Sequence, residues 1–530
     1  MAPSIQAFKK RLPVLAAAAA ALVGLVNIAS ALTPNIRWRG HLLLEFEPVE
    51  AVRLFHALAF PAGAALLLVA PYLAKRRRRA CQVAIVLMIA LGLFDLLKGL
   101  DFEETFITWV AAVILIIGRA GFNVRHDPIT LRSAVWRVPL IGAAGLAGGM
   151  LATWAAQGHH ELSWIPIAAG LGTLSAMAYT IFRPLTAPRS LPSPVAREAA
   201  SNLVRAHGAD TLAFFKLRGD KHYLFSEDRR AFVGYTVENG VLLLSGDPVG
   251  PRDAFPDLLG QVRGFAEARG LKLAALGASE ALCPLYAELG LRTIYLGDEA
   301  IVDLGRFSLE GRPIRKVRQS VTRLSKAGYH AEVCELGALD PGTVEQLEEV
   351  VERGRQGAPE RGFSMAMDSL QGEHDHETLV VIARDGDGQI RGVLHFVPCY
   401  GRPAVSLSFM RRDPSTPNGL TEFLVVRAIE LLRERGLEEL SLNFAAFAKW
   451  MHSPVRRHER LLGKLIALGN PFFQIESLYR FNAKFFPRWE PRFLVYEGAF
   501  GLPRAGIAAL WAEGQLPKPG LRMRESAPSR

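Results

Sequence analysis

Near the C-terminus runs IESLYRFNAKFFPRWEPRFLVY, residues 475–496. It sets Arg480, Lys484, Arg488 and Arg492 among Tyr479, Phe481, Phe485, Phe486, Trp489 and Phe493. Cations at this density among aromatic rings suit a surface that grips phosphate or a polyanion beside an apolar wall. A basic amphipathic segment packed on a core has the same spacing, so the stretch decides little until the rest of the chain is read. At the opposite end lies a series of long apolar runs.

Six of these precede residue 185, at about 14–32, 55–74, 81–97, 105–118, 138–156 and 163–182. Several approach the roughly 20 residues that cross a bilayer as a helix. Basic residues gather in alternate connections: Lys9 to Arg11, Lys75 to Arg79, Arg119 to Arg137, and Arg183 with Arg189. Because Lys and Arg accumulate in cytoplasmic loops, the N-terminus and everything beyond Arg183 are expected on the cytoplasmic side of a multi-pass plasma-membrane protein. Residues 184–200, PLTAPRSLPSPVAREAA, carry the proline and serine punctuation of a linker. Beyond them, strand-like runs such as GVLLLSG and TLVVIAR alternate with amphipathic helical runs such as TEFLVVRAIELLRERG.

A chain of 530 residues exceeds one core, and a net charge of +11 favours an anionic partner, nucleic acid or acidic lipid. Cys81, Cys283, Cys334 and Cys399 lack the paired spacing of a zinc site or a disulfide framework. Glu373-His374-Asp375-His376-Glu377 reads as a solvated turn, and no metal is expected. One internal echo stands out: ARGLKLAALGA at 268–278 and ERGLEELSLNFA at 434–445 align Gly270 with Gly436. The pattern predicts a membrane domain at 1–183, a linker at 184–200, α/β lobes at 201–310 and 311–500, and a tail at 501–530.

Further motifs are Ser245-Gly246-Asp247-Pro248, RKVRQSVTRLSKAGY at 315–329, and Glu360-Arg361-Gly362-Phe363-Ser364. Phe409-Met410-Arg411-Arg412, Asn418-Gly419, Ser441-Leu442-Asn443-Phe444 and FNAKFFPRWEPR at 481–492 follow. With these, over about 205–500, the chain resembles the multiple peptide resistance factor family, the aminoacyl-phosphatidylglycerol synthases. The resemblance implies a polytopic α-helical membrane domain followed by a cytoplasmic α/β domain of two tandem acetyltransferase-like (GNAT) lobes, the second catalytic. It also implies transfer of an aminoacyl group, lysyl favoured over alanyl, from aminoacyl-tRNA to a hydroxyl of phosphatidylglycerol in an anionic membrane. The phrasing is nearest to members fused to a lysyl-tRNA synthetase; none follows here, so a separate synthetase is expected to supply the donor. Two positions depart from the family: Ser408 stands where an Asp is usual, and Gly357 where a Lys is usual.

Such a transfer is ester exchange from an already activated donor, so the protein must align an alcohol and stabilise an oxyanion, with no cofactor. Lys484 and Arg411 are the candidates for holding phosphate or the tRNA 3′ end. Glu360 is a candidate for the donor's ammonium or a proton, and Ser408 takes the place of the family carboxylate. Arg315, Lys316, Arg318, Arg323 and Lys326 lie along one helix that can neutralise tRNA phosphates. Asn418, Glu422, Arg488 and Arg492 complete the expected substrate contacts. VRRHERLLGKLIAL at 455–468 suits a helix lying on an anionic leaflet. The alternatives are transfer to diacylglycerol or a peptidoglycan precursor, or a non-catalytic membrane protein that binds tRNA or lipid. A coenzyme-A-dependent acetyltransferase would carry a glycine-rich pyrophosphate turn, which RRDPSTPNGL at 411–420 does not match.

Overall fold

The computed structural model describes residues 3–32, 49–99, 101–124, 164–182, 191–356, 374–446, 475–498 and 501–516, with parts of 137–147 and 362–370. Glu360, the stretch 455–468 and most of the apolar run 138–156 lie outside the described residues.

The other five apolar runs fall on helices: α1 (Pro3–Leu32), α2 (Val49–Ala74), α3 (Arg78–Gly99), α4 (Phe102–Ile117) and α5 (Trp164–Phe182). Among the described residues, Leu12–Ser30, Arg78–Leu96 and Phe102–Gly121 are long and apolar enough to cross a membrane. The contact between α1 and α2 mixes small side chains with leucine. Ala16, Ala20 and Val23 share a buried cluster with Leu66, Ala70 and Leu73. A Cβ on Gly24 would stand 2.8 Å from the carbonyl of Gly63, so glycine lets these two backbones meet. The outer faces are apolar as well, with Phe106 70% and Ile117 78% exposed. Water would penalise such a patch, whereas hydrocarbon would not.

The described residues from 191 onward build one mixed sheet. Helix α6 (Pro194–His207) comes first, with Ser193 Oγ accepting from the amide of Ala196 at 3.3 Å and a proline in the first turn. The stretch read as linker is therefore helical from residue 194. The strands are β1 (His222–Phe225), β2 (Phe232–Glu238), β3 (Val241–Ser245), β4 (Lys272–Ser279), β5 (Leu291–Asp303) and β6 (His330–Glu335), then β7 (Leu379–Arg384), β8 (Ile390–Cys399), β9 (Ala404–Arg412), β10 (Glu439–Ala446) and β11 (Arg488–Glu497). Their spatial order is β1-β2-β3-β4-β11-β5-β10-β9-β8-β7-β6.

One motif occurs twice in that order. Three antiparallel strands β1-β2-β3 lead through α7 (Phe255–Arg269) to β4, which pairs parallel with β3. Strands β7-β8-β9 lead through α11 (Leu420–Glu434) to β10, parallel with β9. The sequence echo falls on equivalent places, with Gly270 (φ +66°) and Gly436 (φ +80°) in the left-handed region just before β4 and β10. The last strands are exchanged: β11 pairs with β4, β5 pairs with β10, and the two pair with each other. A boundary at residue 310 thus divides the chain but not the sheet.

Helices α8 (Cys283–Glu288), α9 (Arg315–Lys326), α10 (Pro341–Arg355), α12 (Ile475–Asn482) and α13 (Leu502–Ala512) complete the fold. The largest core lies under α9 and α11. Val317, Val321 and Leu324 join Phe423, Leu424 and Ile429 over Val381, Leu394, Phe396 and Val405. An i, i+4, i+7 apolar stripe is what buries α9 and turns its cations outward.

Candidate active site at the parting of two parallel strands

Strands β9 and β10 pair only over Ala404–Ser406 and Glu439–Ser441. Both then continue, β9 against β8 as far as Arg412 and β10 against β5 as far as Ala446. Their facing edges separate into a notch at the C-terminal ends of both strands, the end where α11 begins. Separated edges leave peptide groups in need of partners. Asn443 supplies one: in the left-handed region at φ +67°, its Nδ2 donates to Leu407 O at 2.9 Å and to Met365 O at 2.6 Å. Its Oδ1 accepts from the amide of Phe444 at 2.9 Å.

Ser408 lies at a bulge of β9 and is buried. Its Oγ accepts from the amide of Met367 at 3.0 Å. Ser408 and Asn443 thus hold the stretch 362–367 against the notch from both sides. Arg411 lies over the ring of Phe409 at 5.7 Å and donates to Met410 O at 2.9 Å. Phe409 also meets His395, with the ring centroids 4.9 Å apart. That imidazole is fully buried, which pushes its pKa down to about 3, and it shares a 2.9 Å hydrogen bond with Thr378.

Lys484 and Glu422, read separately in the sequence, form one ion pair. Lys484 Nζ donates to Glu422 Oε1 at 2.8 Å from a partly exposed position and lies 5.1 Å from the ring of Phe481. Buried neighbours fix the lysine's backbone, because Asn482 donates to Leu442 O at 3.4 Å and Phe485 fills the main core. An exposed pair of this kind contributes at most about 1 kcal/mol, so an anionic ligand can displace the carboxylate. Glu422 stands in the first turn of α11, after Gly419 at φ +90°. A Cβ on Gly419 would come 2.6 Å from Ser320 Oγ, so glycine allows α9 to close on this turn. Arg323 donates to Asn418 O across the same contact. Arg315, Lys316, Arg323 and Lys326 are exposed on α9, while Arg318 is half-buried and donates to Leu309 O and Gly311 O.

Two of the expected substrate contacts have partners within the fold. Arg488 bonds to Glu439 at 2.9 Å and Glu490 at 2.8 Å. Arg492 is a correction: it is buried, and its guanidinium meets Asp210 at 2.6 Å, Glu299 at 2.6 Å and Thr211 Oγ1 at 3.0 Å. Burial alone would raise the Asp210 carboxyl, but Arg492 outweighs it and holds it at about 2. Arg492 therefore ties β11 to β5 and to the start of the first half of the sheet. Ser441 extends the network, its Oγ donating to Glu299 Oε1 at 2.5 Å and accepting from the amide of Asn443 at 3.1 Å.

Sequence reading missed Arg218, Lys221 and Glu513. All three bond the stretch 362–367. Each is more than a hundred residues away in the chain, and a lone charged residue carries no mark of such a contact.

The sequence profile described as phosphatidylglycerol lysyltransferase, C-terminal, matches residues 201–496. The lysylphosphatidylglycerol biosynthesis bifunctional protein LysX of Gordonia bronchialis is 32% identical over 86% of this chain and 45% of its own length. Its namesake in Nocardia farcinica is 32% identical over 86% and 44%. The chain thus spans about half the length of these curated relatives. Among solved structures, the C-terminal DUF2156 domain of an Agrobacterium fabrum protein assigned as a lysylphosphatidylglycerol synthetase is 29% identical with a TM-score of 0.53, covering 60% of this chain and 97% of that one. The L-PGS structure from Bacillus licheniformis shares the fold at 23% identity and a TM-score of 0.54, covering 62% and 99%.

Proposed function

The chain belongs to the phosphatidylglycerol lysyltransferase family through residues 201–496, and on that footing we propose that it moves an aminoacyl group from aminoacyl-tRNA to a hydroxyl of phosphatidylglycerol. Lysyl is favoured over alanyl, as the names of the relatives suggest. The family match carries the reading. The convergence of the Ser408, Asn443 and Asn482 motifs on one notch supports it.

In the reaction, the lipid hydroxyl attacks the aminoacyl ester carbonyl and a tetrahedral oxyanion forms. The ribose oxygen then leaves, taking up the proton that the lipid hydroxyl gives up. Lys484 is the proposed cation for the lipid phosphate or the oxyanion, with Arg411 beside the notch as the second. Binding of an anion at Lys484 releases Glu422, whose carboxylate then suits the ammonium of the aminoacyl group. Glu360 remains a proposed participant on its sequence motif alone. The exposed cations of α9 are the proposed track for tRNA phosphates, where contacts are strongly salt-dependent and read little sequence.

The proposal extends to the whole molecule. Its helices span the plasma membrane several times, and the N-terminus and sheet face the cytoplasm, as the placement of Lys9 to Arg11 and Lys75 to Arg79 favours. The sheet is two tandem acetyltransferase-like lobes, about 201–310 and 311–500, supported by the repeated β-β-β-α-β order. The purified chain in phosphatidylglycerol vesicles should convert lysyl-tRNA into an amino-lipid identified by mass. Absence of product with lysyl- and alanyl-tRNA alike would overturn the reading, and product on diacylglycerol alone would move the acceptor.

A further inference from the structure

We infer that Arg218 and Lys221, just ahead of β1, and Glu513, just after α13, act in transfer as positioning residues, fixing the stretch that walls the notch. The inference rests on the reaction proposed above and adds a role for residues that touch no substrate.

The stretch 362–367 forms neither helix nor strand, so no ladder sets its place. Eight of its backbone groups are instead held from outside. Glu513 takes the amides of Phe363 at 2.9 Å and Ser364 at 3.0 Å on its two carboxylate oxygens, and its own carbonyl takes the amide of Gly362 at 3.2 Å. Arg218 donates to Gly362 O and, at 3.1 Å, to Ala366 O. Lys221 donates to Phe363 O, with its ammonium 3.9 Å from the centroid of the Phe363 ring. Asn443 and Ser408 take Met365 O and the Met367 amide from the notch side. Cations meet carbonyls and a carboxylate meets amides, so the set recognises one backbone path. Gly362 makes the path tight: at φ +124°, a Cβ there would come 2.5 Å from that of Ala366.

Stability alone is a poor reason for these residues. Lys221 is 1% exposed, and burial pulls its pKa down to about 8 despite Asp220 at 3.7 Å. A buried ammonium costs several kcal/mol before its contacts offset that, and an apolar side chain of similar volume is often as stable or more so. Such a group does fix a unique geometry. Here that geometry is the position of Met365 and Met367 against Ser408 and Asn443. A displacement of about 1 Å in a site wall can lower turnover about 100-fold without altering ground-state binding.

The test uses the full chain in phosphatidylglycerol vesicles with lysyl-tRNA, comparing Glu513→Ala, Glu513→Gln, Lys221→Met and Lys221→Arg. It records kcat, KM for the tRNA, thermal midpoint and amide hydrogen exchange over 362–367. Glu513→Ala and Lys221→Met should lower kcat about 10- to 100-fold with KM within about twofold, and exchange in the stretch should quicken while the sheet stays protected. Glu513→Gln, which keeps one acceptor, and Lys221→Arg, which keeps the donor, should recover part of the rate. Faster exchange with kcat within about twofold of wild type would overturn the inference, as would a loss of rate matching only the fraction unfolded. If Lys221→Met does not fold, the two Glu513 variants decide. Should the wild type transfer nothing, the proposed reaction fails, and the clamp is judged by exchange: unchanged protection in Glu513→Ala overturns it, and quickened exchange confined to 362–367 upholds it.

Discussion

The two halves of the sheet share an order of strands but use it differently. In the first, β3 stops at Ser245 where its pairing with β4 stops, and the space beyond is closed by buried charge. Lys216 and Asp247 are buried there, and burial pulls the lysine down to about 8 and the carboxyl up. In the second half, β9 and β10 outrun their pairing and leave a notch edged by polar side chains. The clearest single difference is at one echoed position: Gly277 (φ +82°) in β4 corresponds to Asn443 (φ +67°) in β10. Both supply the left-handed residue of a bulge, but only Asn443 has a side chain to bridge separated strands. A duplicated framework thus supports a closed copy that holds and an open copy suited to work.

The largest expected effect is at the joint between the copies. Arg492→Leu leaves the buried Glu299 and the part-buried Asp210 without their cation and should cost about 3–5 kcal/mol, measured as a fall in the denaturant midpoint. The acid limb should move with it. Asp210 is held at about 2, below its ordinary 3.8, so it contributes stability above pH 3.8 that is lost as pH falls towards 2. In Arg492→Leu that contribution disappears and acid unfolding should begin at higher pH. An unshifted acid limb would mean that Asp210 is not what Arg492 stabilises.

This joint also shows where sequence reading stops. The alternation of strands and helices, the glycine echo and the outward cations of α9 were legible because each depends on neighbours within a few residues. The exchange of β5 and β11 was not, since both arrangements bury the same apolar pattern. Arg492 looked like its neighbour Arg488, yet one residue is buried between two carboxylates and the other is half exposed on the same strand. Only the partners, nearly 200 and nearly 300 residues away, distinguish them.

Next in size is Lys484→Ala, which should lower transfer about 10²- to 10³-fold, the usual effect of removing one oxyanion partner. Because its pair with Glu422 is partly exposed, the thermal midpoint should barely change. Wild-type rates in this variant would remove Lys484 from the site and leave the open half without its proposed cation.

An exchange of the two echoed residues sharpens the comparison. Asn443→Gly keeps the backbone angle but deprives Leu407 O and Met365 O of their donor, a loss of about 1–3 kcal/mol. Gly277→Asn should also cost about 1–3 kcal/mol, for a different reason: Asn tolerates the left-handed region, but its amide would be buried against a leucine methyl 3.1 Å from the new Cβ. An unchanged urea midpoint in Asn443→Gly would show that the notch is not held by its asparagine.

The smallest effect is expected at Ser408, where the family resemblance leads one to expect an aspartate. A hydroxyl holds no negative charge near neutral pH, so Ser408 cannot be an obligatory base. The structure offers a different role, because Oγ accepts the amide of Met367 and so secures the same stretch that Glu513 secures from the other side. An aspartate could accept that amide equally well, and a serine therefore preserves what the position contributes to the wall. Ser408→Ala should cost about 1 kcal/mol and roughly a fivefold loss of rate, as one buried hydrogen bond does. Ser408→Asp should stay within about tenfold of wild type in either direction, because the retained acceptor is set against a carboxylate that must be buried. General-base catalysis is worth 10²–10⁴-fold, far outside that window. An inactive wild type restored by Ser408→Asp would therefore show that the carboxylate was the base, and that in this chain the open half has become a second closed one.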